Sequence, residues 1–362
     1  MLGPVKAKAK RKAPPLRPPV AKKPALPSPP APVVPLSQDQ STWSAEQKEA
    51  DMIQWVQDRR PVNTKKSYKG YDKQFKAWCE KNNEVYFPAA PVTLARWLRE
   101  LHEVRKLAAG TITKSAASAV ADKYRFSTFD SPTASPLVSA TKKVIAANAP
   151  PRKRRIPLTA AHIGKIVGSV KPRKYLDVGN IFMVILMFAA MLRSDETVSL
   201  RPEDVWLNTY DGKEVLYVFI EKSKTDQARN GHTVVLGQAK DGAMCPIFWF
   251  KMFKIWANVK ASALFHKKDS VEGLSAPTAG HVLKNLLKLT NIEEVDIKLL
   301  TSHSCRIGGA TAAAAAGVNL RLIMRHGNWK SFAVFLYIRD CMADRLSVSQ
   351  SMVNGECIKN RT

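Results

Sequence analysis

Hydrophobic residues recur at helical spacing over most of this chain and at strand spacing over very little of it. From Ser41 to about Ala147, four or five such patterns follow one another with polar joints between them. The most informative runs from Asn63 to about Lys81, where Tyr68, Tyr71, Phe75 and Trp78 fall on one face. Lys66, Lys69, Lys73 and Lys76 repeat that spacing two positions earlier, about 200° around a helix, so an aromatic face opposes a basic one. The aromatics read as core. The lysines, without acidic i,i+4 partners among them, read as phosphate contacts, the plain alternative being a solvated face. Thr93 is expected to cap a helix carrying Leu94, Trp97, Leu98 and Leu101, and Thr111 one carrying Ile112, Ala116 and Ala119. Ser135 with Pro136 opens a third, bearing Leu137, Val144 and Ile145.

Periodicity breaks at NAPPRKRRIP, residues 148–157, and then resumes. Thr159 caps a helix with Ile163, Ile166 and Val167, and the apolar run from Asn180 to Leu192 reads as a buried helix ending at Arg193. Val215 to Ile220 and Thr233 to Leu236 are rich in β-branched and large apolar residues, with SKTDQARNG between them, which predicts a β-hairpin. Pro246 starts an aromatic helix through Trp256, and Thr278 caps the helix of Val282, Leu283, Leu286 and Leu287. The stretch from Thr301 to Asp340 then places His303 and Arg306 at the start of an Ala-rich helix and Tyr337 on a short apolar segment. The fold class is mainly α with a small antiparallel β-sheet, arranged as an all-α domain followed by an α+β domain.

Charge narrows the partner. The 57 Lys and Arg exceed the 30 Asp and Glu, a net +27 that favours a polyanion. Residues 1–36 hold eight of the cations and no acid, and the remainder is still strongly positive without them. The Pro-rich, Lys-rich opening, residues 1–40, cannot bury enough apolar surface to fold and is expected to be a disordered basic tail. KAKAKRK within it reads as a nuclear import signal or a non-specific DNA arm, and as a solubilising tail otherwise. Arg152, Lys153, Arg154 and Arg155 make 148–157 a basic linker, a strap suited to a protein that closes around a duplex. The expected layout is therefore tail 1–40, helical DNA-binding domain 41–147, linker 148–157, catalytic domain 158–345 and C-terminal tail 346–362. Five scattered cysteines without CxxC pairing argue against a disulfide framework or zinc finger. No apolar run is long enough to span a bilayer and no signal segment opens the chain.

A His, an Arg and a Tyr delivered by consecutive short helices can meet around one phosphate, the cations neutralising charge while the phenol attacks. Taken singly, Tyr337 reads as core, His303 as a helix-terminus histidine, Arg193 as a helix-end cation and Lys224 as a solvated turn lysine. Together, LRSDE at Arg193, SKTD at Lys224, HSCR at His303 and Arg306, GNW at Trp329 and FLYIR at Tyr337 resemble, in order, the motifs of the tyrosine recombinase (phage integrase type) family. The resemblance covers about residues 41–345, and HSCRIGGATAAAAAGV with GNW and YIR looks most like the eukaryotic mobile-element branches, the Cryptons and DIRS-like retroelements. Trp329 stands where most bacterial members have His, and it lies eight positions before Tyr337, slightly fewer than in many relatives.

The resemblance implies a SAM-like core-binding domain, a tyrosine recombinase catalytic domain and site-specific cleavage and rejoining of DNA through a 3′-phosphotyrosine, as the integrase or transposase of a mobile element. It assigns Tyr337 as nucleophile, Arg193 and Arg306 as phosphate clamps, His303 as proton acceptor, Lys224 (with Lys222 as fallback) as acid for the leaving oxygen and Trp329 as an N–H donor, with Glu196 orienting a neighbouring cation. It implies no cofactor and no metal, double-stranded DNA as partner, a homo-tetramer on DNA, and the nucleus as location in a eukaryotic host. A silent DNA-binding descendant, or a type IB topoisomerase, would share these residues.

Overall fold

The computed structural model describes residues 43–151, 154–172, 174–221, 223, 230–256, 261–267 and 271–354. The tail 1–40, Arg152, Lys153, Lys222 and Lys224 lie outside the described residues. The chain divides into two compact units between Arg152 and Lys153.

In the first unit, Ser44 caps α1 (Ala45–Asp58) by a reciprocal box with Gln47, and no residue of this helix is buried. Pro61 precedes α2 (Val62–Lys81), which buries Phe75, Trp78 and Cys79 against α3 (Pro91–Glu103). The Phe75 and Trp97 rings meet at 4.8 Å. Lys66, Lys69, Lys73 and Lys76 are all exposed. Lys76 lies 3.9 Å from Glu80, so the row is not wholly without acidic i,i+4 partners as expected.

Two threonines expected as caps are interior. Pro91, with φ already set and no N–H to lose, starts α3 two residues before Thr93, which is buried and donates to Glu84 at 2.7 Å. Thr111 sits in a helix already under way: a π-turn over Thr111–Ala116 runs into α4 (Ala117–Lys123). Ser135 does cap α5 (Pro136–Ala147).

The second unit opens with α6 (Ala160–Ser169), capped by Thr159. Helix α7 (Tyr175–Ala189) is apolar all round and forms the centre of the core, as such a helix must. Its Phe182 ring lies 5.3–5.8 Å from those of Phe250, Phe253 and Phe265. The helix stops short of Arg193 because Met191 takes a left-handed conformation, φ 51°. Arg193 is therefore the residue before α8 (Ser194–Val198) and not the end of the buried helix.

A strand absent from the sequence reading follows, β1 (Val205–Tyr210), which pairs antiparallel with β2 (Lys213–Ile220) across Asp211 and Gly212, both at positive φ. Strand β3 (His232–Gly237) pairs with β2 on its other side, giving the order β1-β2-β3 with Ile220 opposite His232. Helices α9 (Pro246–Trp256), α10 (Ala276–Lys288) and α11 (Glu294–Leu299) cover the core. Thr278 is in the first turn of α10 and not its cap, since Pro277 admits the helix from Ser275.

Helix α12 (Ser302–Ala315) then threads close to its neighbours. A Cβ on Gly308 would lie 1.8 Å from the Leu158 carbonyl oxygen, and one on Gly309 would lie 2.3 Å from that of Phe188. Gly308 thus lets α12 pack on the segment before α6, and Gly309 lets it touch the end of α7. Helix α13 (Leu320–His326), a 3-10 turn at Phe332–Leu336 and an exposed α14 (Met342–Asn354) complete the unit; α14 crosses the expected 345/346 boundary. Among the described residues no helix is long and apolar enough to cross a membrane.

Candidate active site

Arg306 enters the protein from the first turns of α12 and is 1% exposed. Its Nη1 donates to the Met191 carbonyl and its Nη2 to the Gly327 carbonyl at 2.5 Å. Those carbonyls sit just beyond the C-terminal ends of α7 and α13, where orphan C=O groups and the helix dipole both favour a cation. Burial pushes the Arg306 pKa down to about 10, with Arg193 adding to the depression and Glu196 and the Tyr337 phenol opposing it. The side chain thus stays charged at neutral pH. The turn that presents Gly327 is tight: Asn328 has φ 53°, and a Cβ on Gly327 would lie 1.9 Å from the Trp329 ring.

Arg193 is held by one carboxylate at two points. Glu196 accepts the Arg193 main-chain N–H at 2.8 Å and its Nη1 at 2.6 Å, and is itself buried. The Arg193 side chain, 18% exposed, keeps an edge toward solvent. The expectation that Glu196 orients a neighbouring cation thus takes a specific form here: the cation is Arg193.

Tyr337 closes the 3-10 turn, half-buried. Thr311 fixes its backbone, donating to the Tyr337 carbonyl at 3.2 Å while accepting the Arg339 N–H at 3.1 Å. Around the phenol, the His303 and Trp329 rings each lie 5.0 Å away, and the Arg306 guanidinium carbon lies 5.4 Å from its ring. The same carbon stands 4.0 Å over the Trp329 ring. Desolvation of its packed side lowers the His303 pKa, and Arg306, Arg193 and Arg339 lower it further. The lowered pKa leaves the imidazole neutral at pH 7, and the residue's exposure keeps it within reach of solvent. Trp329 Nε1–H and Arg306 Nε–H are buried and find no acceptor among the described residues. Buried donors are normally satisfied, so two unmade ones side by side suit the oxygens of an anionic ligand. The arrangement can bind an oxyanion between two arginines and set a hydroxyl nucleophile and a neutral imidazole beside it.

Of the residues singled out in the sequence, Arg193, Glu196, His303, Arg306, Trp329 and Tyr337 converge here; Lys224 lies outside the described residues. Arg154 and Arg155 are exposed and line a surface groove with Val295 and Lys298, the Arg155 guanidinium reaching the Lys298 carbonyl at 3.5 Å. Lys66, Lys69, Lys73 and Lys76 belong to the other unit. Sequence reasoning missed Thr311, Arg339 and the histidines 232 and 326, which back the site. Thr311 and Arg339 stood inside the quoted motifs HSCRIGGATAAAAAGV and FLYIR, as did Gly308, Gly309 and Gly327 in theirs, whereas the two histidines lay outside them.

A model of the phage integrase family matches residues 158–338. The chain is 24% identical over 278 residues to an integrase/recombinase xerD homolog of Selenomonas ruminantium, covering 74% of this chain and 79% of the relative. It is 23% identical over 306 residues to the recombinase cre of Escherichia phage P1, covering 77% and 84%. Among solved structures it resembles the Tn1549 transposon integrase in complex with transposon right-end DNA, with a TM-score of 0.55 at 16% identity, covering 84% of this chain and 98% of that one.

Proposed function

Because this chain belongs to the phage integrase family of tyrosine-type site-specific recombinases, we propose that it breaks and rejoins double-stranded DNA with Tyr337 as the attacking group. The observation that carries this reading is the phenol itself, packed among His303, Trp329 and Arg306 beside two unpaired buried donors. The Tyr337 oxygen attacks the scissile phosphorus, forming a 3′-phosphotyrosine as the bond to the 5′-oxygen breaks. The neutral His303 takes the phenol proton, which makes the hydroxyl a competent nucleophile near neutral pH. Arg193 and Arg306 bind the non-bridging oxygens, where charge grows in the transition state, and Trp329 adds its N–H. Lys224, or failing it Lys222, protonates the departing 5′-oxygen. The phosphotyrosine conserves the ester, so a second 5′-hydroxyl reverses the attack and seals the strand without a nucleotide or other cofactor.

Arg306 is buried under the Trp329 and Tyr337 rings, so a phosphate reaches it only when that segment moves aside. The lysine row of α2 and the basic residues 152–155 hold the DNA backbone; recombination of two duplexes calls for four protomers, with α14 exchanged between neighbours. The chain's motifs support a mobile-element recombinase of the Crypton or DIRS-like kind working in a nucleus. The test is a nicked suicide-duplex library incubated with the protein, its covalent adducts trapped and sequenced. Wild type gives adducts with free 5′-hydroxyl ends and Tyr337→Phe gives none. Adducts from Tyr337→Phe overturn the nucleophile, and no adduct from wild type leaves a DNA-binding protein. Relaxation of supercoils without synapsis makes it a topoisomerase.

A further inference from the structure

Two histidines behind the site have no task in the chemistry above. His232, the first residue of β3, donates Nε2–H to the His326 carbonyl at 3.2 Å, and His326 donates Nε2–H to the Ala189 carbonyl at 2.8 Å. A carbonyl only accepts, so both rings carry their proton on Nε2. Burial lowers both pKa values, which keeps the rings neutral at pH 7.

The backbone they hold is the backbone that aims Arg306. Gly327, next after His326, supplies the carbonyl for Nη2, and Met191, two residues after Ala189, supplies the carbonyl for Nη1. Glu196, His232, His326, Gly327 and Arg306 line one small cavity. His232 is itself well anchored. It pairs with Ile220 across the sheet and follows Gly231, at φ 72°, where a Cβ would fall 2.7 Å from the Phe219 ring.

We propose that His232, acting through His326, is a positioning residue that holds in place the two carbonyls orienting Arg306. In this way it ties the first residue of β3 to the phosphate clamp. This rests on the assignment of Arg306 as a clamp, so the test has one readout that needs no activity. In the full chain with 15N-labelled arginine, the Arg306 Nε–H resonance is identified by its loss in Arg306→Lys. H232A shifts that resonance, while H232Q, whose amide replaces the Nε2–H donor, leaves it in place.

The second readout is single-turnover cleavage of a nicked duplex recovered from the adduct selection. At saturating DNA, H232A cleaves about tenfold to a hundredfold more slowly with unchanged DNA affinity, and H232Q stays near wild type. On the charge-neutral methylphosphonate version of that duplex, where the clamp matters less, the H232A defect shrinks. Should H232A not fold, H232N, whose amide is too short to reach His326, takes its place with the same expectations. An arginine resonance unmoved in H232A and H232N, or moved equally in H232Q, overturns the proposal, as does an undiminished defect on the methylphosphonate. A wild-type protein that cleaves nothing sinks the recombinase reading instead, and the resonance still decides the link.

Discussion

Replacing Glu196 by Gln separates the two donors that this one carboxylate serves. Its oxygens accept the Arg193 main-chain N–H at 2.8 Å and Nη1 at 2.6 Å, whereas Gln offers one acceptor and must turn its NH2 toward the other donor. A hydrogen bond to a charged group contributes about 1.5–3 kcal/mol, and a buried donor left unmade costs about 1–3 kcal/mol. Arg193 keeps 18% exposure, so water relieves part of that cost and the lower half of the combined range applies, about 2.5–4 kcal/mol. For a unit of this size each kcal/mol moves the melting temperature by about 2–4 °C, so the second unit should melt roughly 5–16 °C lower. Calorimetry of the full chain measures this directly, because the first unit's transition serves as an internal reference. Single-turnover cleavage should fall by more than the stability loss explains, since Arg193 loses its aim and Arg306 a compensating negative charge. An E196Q protein that melts within about 1 °C of wild type and cleaves normally would refute the two-point clamp.

Gly308→Ala pushes a Cβ into the Leu158 carbonyl and should cost at least about 1–3 kcal/mol by urea unfolding. Gly164→Ala, with nothing within 4 Å in the helical α6, should instead gain roughly 0.5–1 kcal/mol, and equal effects at the two sites would contradict the packing argument. Cleavage should lose rate on the acid side as His303 becomes protonated, at a pH below the ordinary histidine value of about 6.5. Arg339→Ala, by removing one of the cations that depress it, should move that limb upward in a pH-rate profile. His232 and His326 have lowered folded-state pKa values, so the stability they contribute is present above about pH 6.5 and lost as pH falls toward those values. Urea midpoints from pH 7.5 to 5 should show a shallower decline in H232Q/H326Q than in wild type.

The helical architecture was legible because its signals are local. An all-apolar run could only be a buried helix, and Ser135 and Thr159 carry the side chains that cap one. Thr93, Thr111 and Thr278 misled because a threonine near a helix start is as able to sit in the first turn, and at two of them a proline upstream sets the true beginning. Strand β1 escaped because Val205 alone is buried in it while Asn208, Thr209 and Tyr210 face outward, so no apolar alternation marks it. In the site, unlike Thr311 and Arg339, the side chains of Arg193, Glu196, His303, Arg306, Trp329 and Tyr337 were readable from motif and order. The acceptors of Arg306 were not, since they are carbonyls of Met191 and Gly327, and a backbone oxygen leaves no trace in residue identity. The histidine pair was hidden for the related reason that its partners are carbonyls brought in from distant segments.

The placement of the Tyr337 ring over Arg306 bears on how the molecule behaves between encounters with its target. On the reading proposed above, the nucleophile and the deeper of its two cations are stacked at rest, the phenol half-buried and Arg306 fully so, and a duplex brushing the surface meets only the exposed edge of Arg193. A chance collision then ends in release, with the strand intact. Under that mechanism scission waits on movement of the short segment after Trp329, and a protein so strongly cationic would sample much DNA without scarring it.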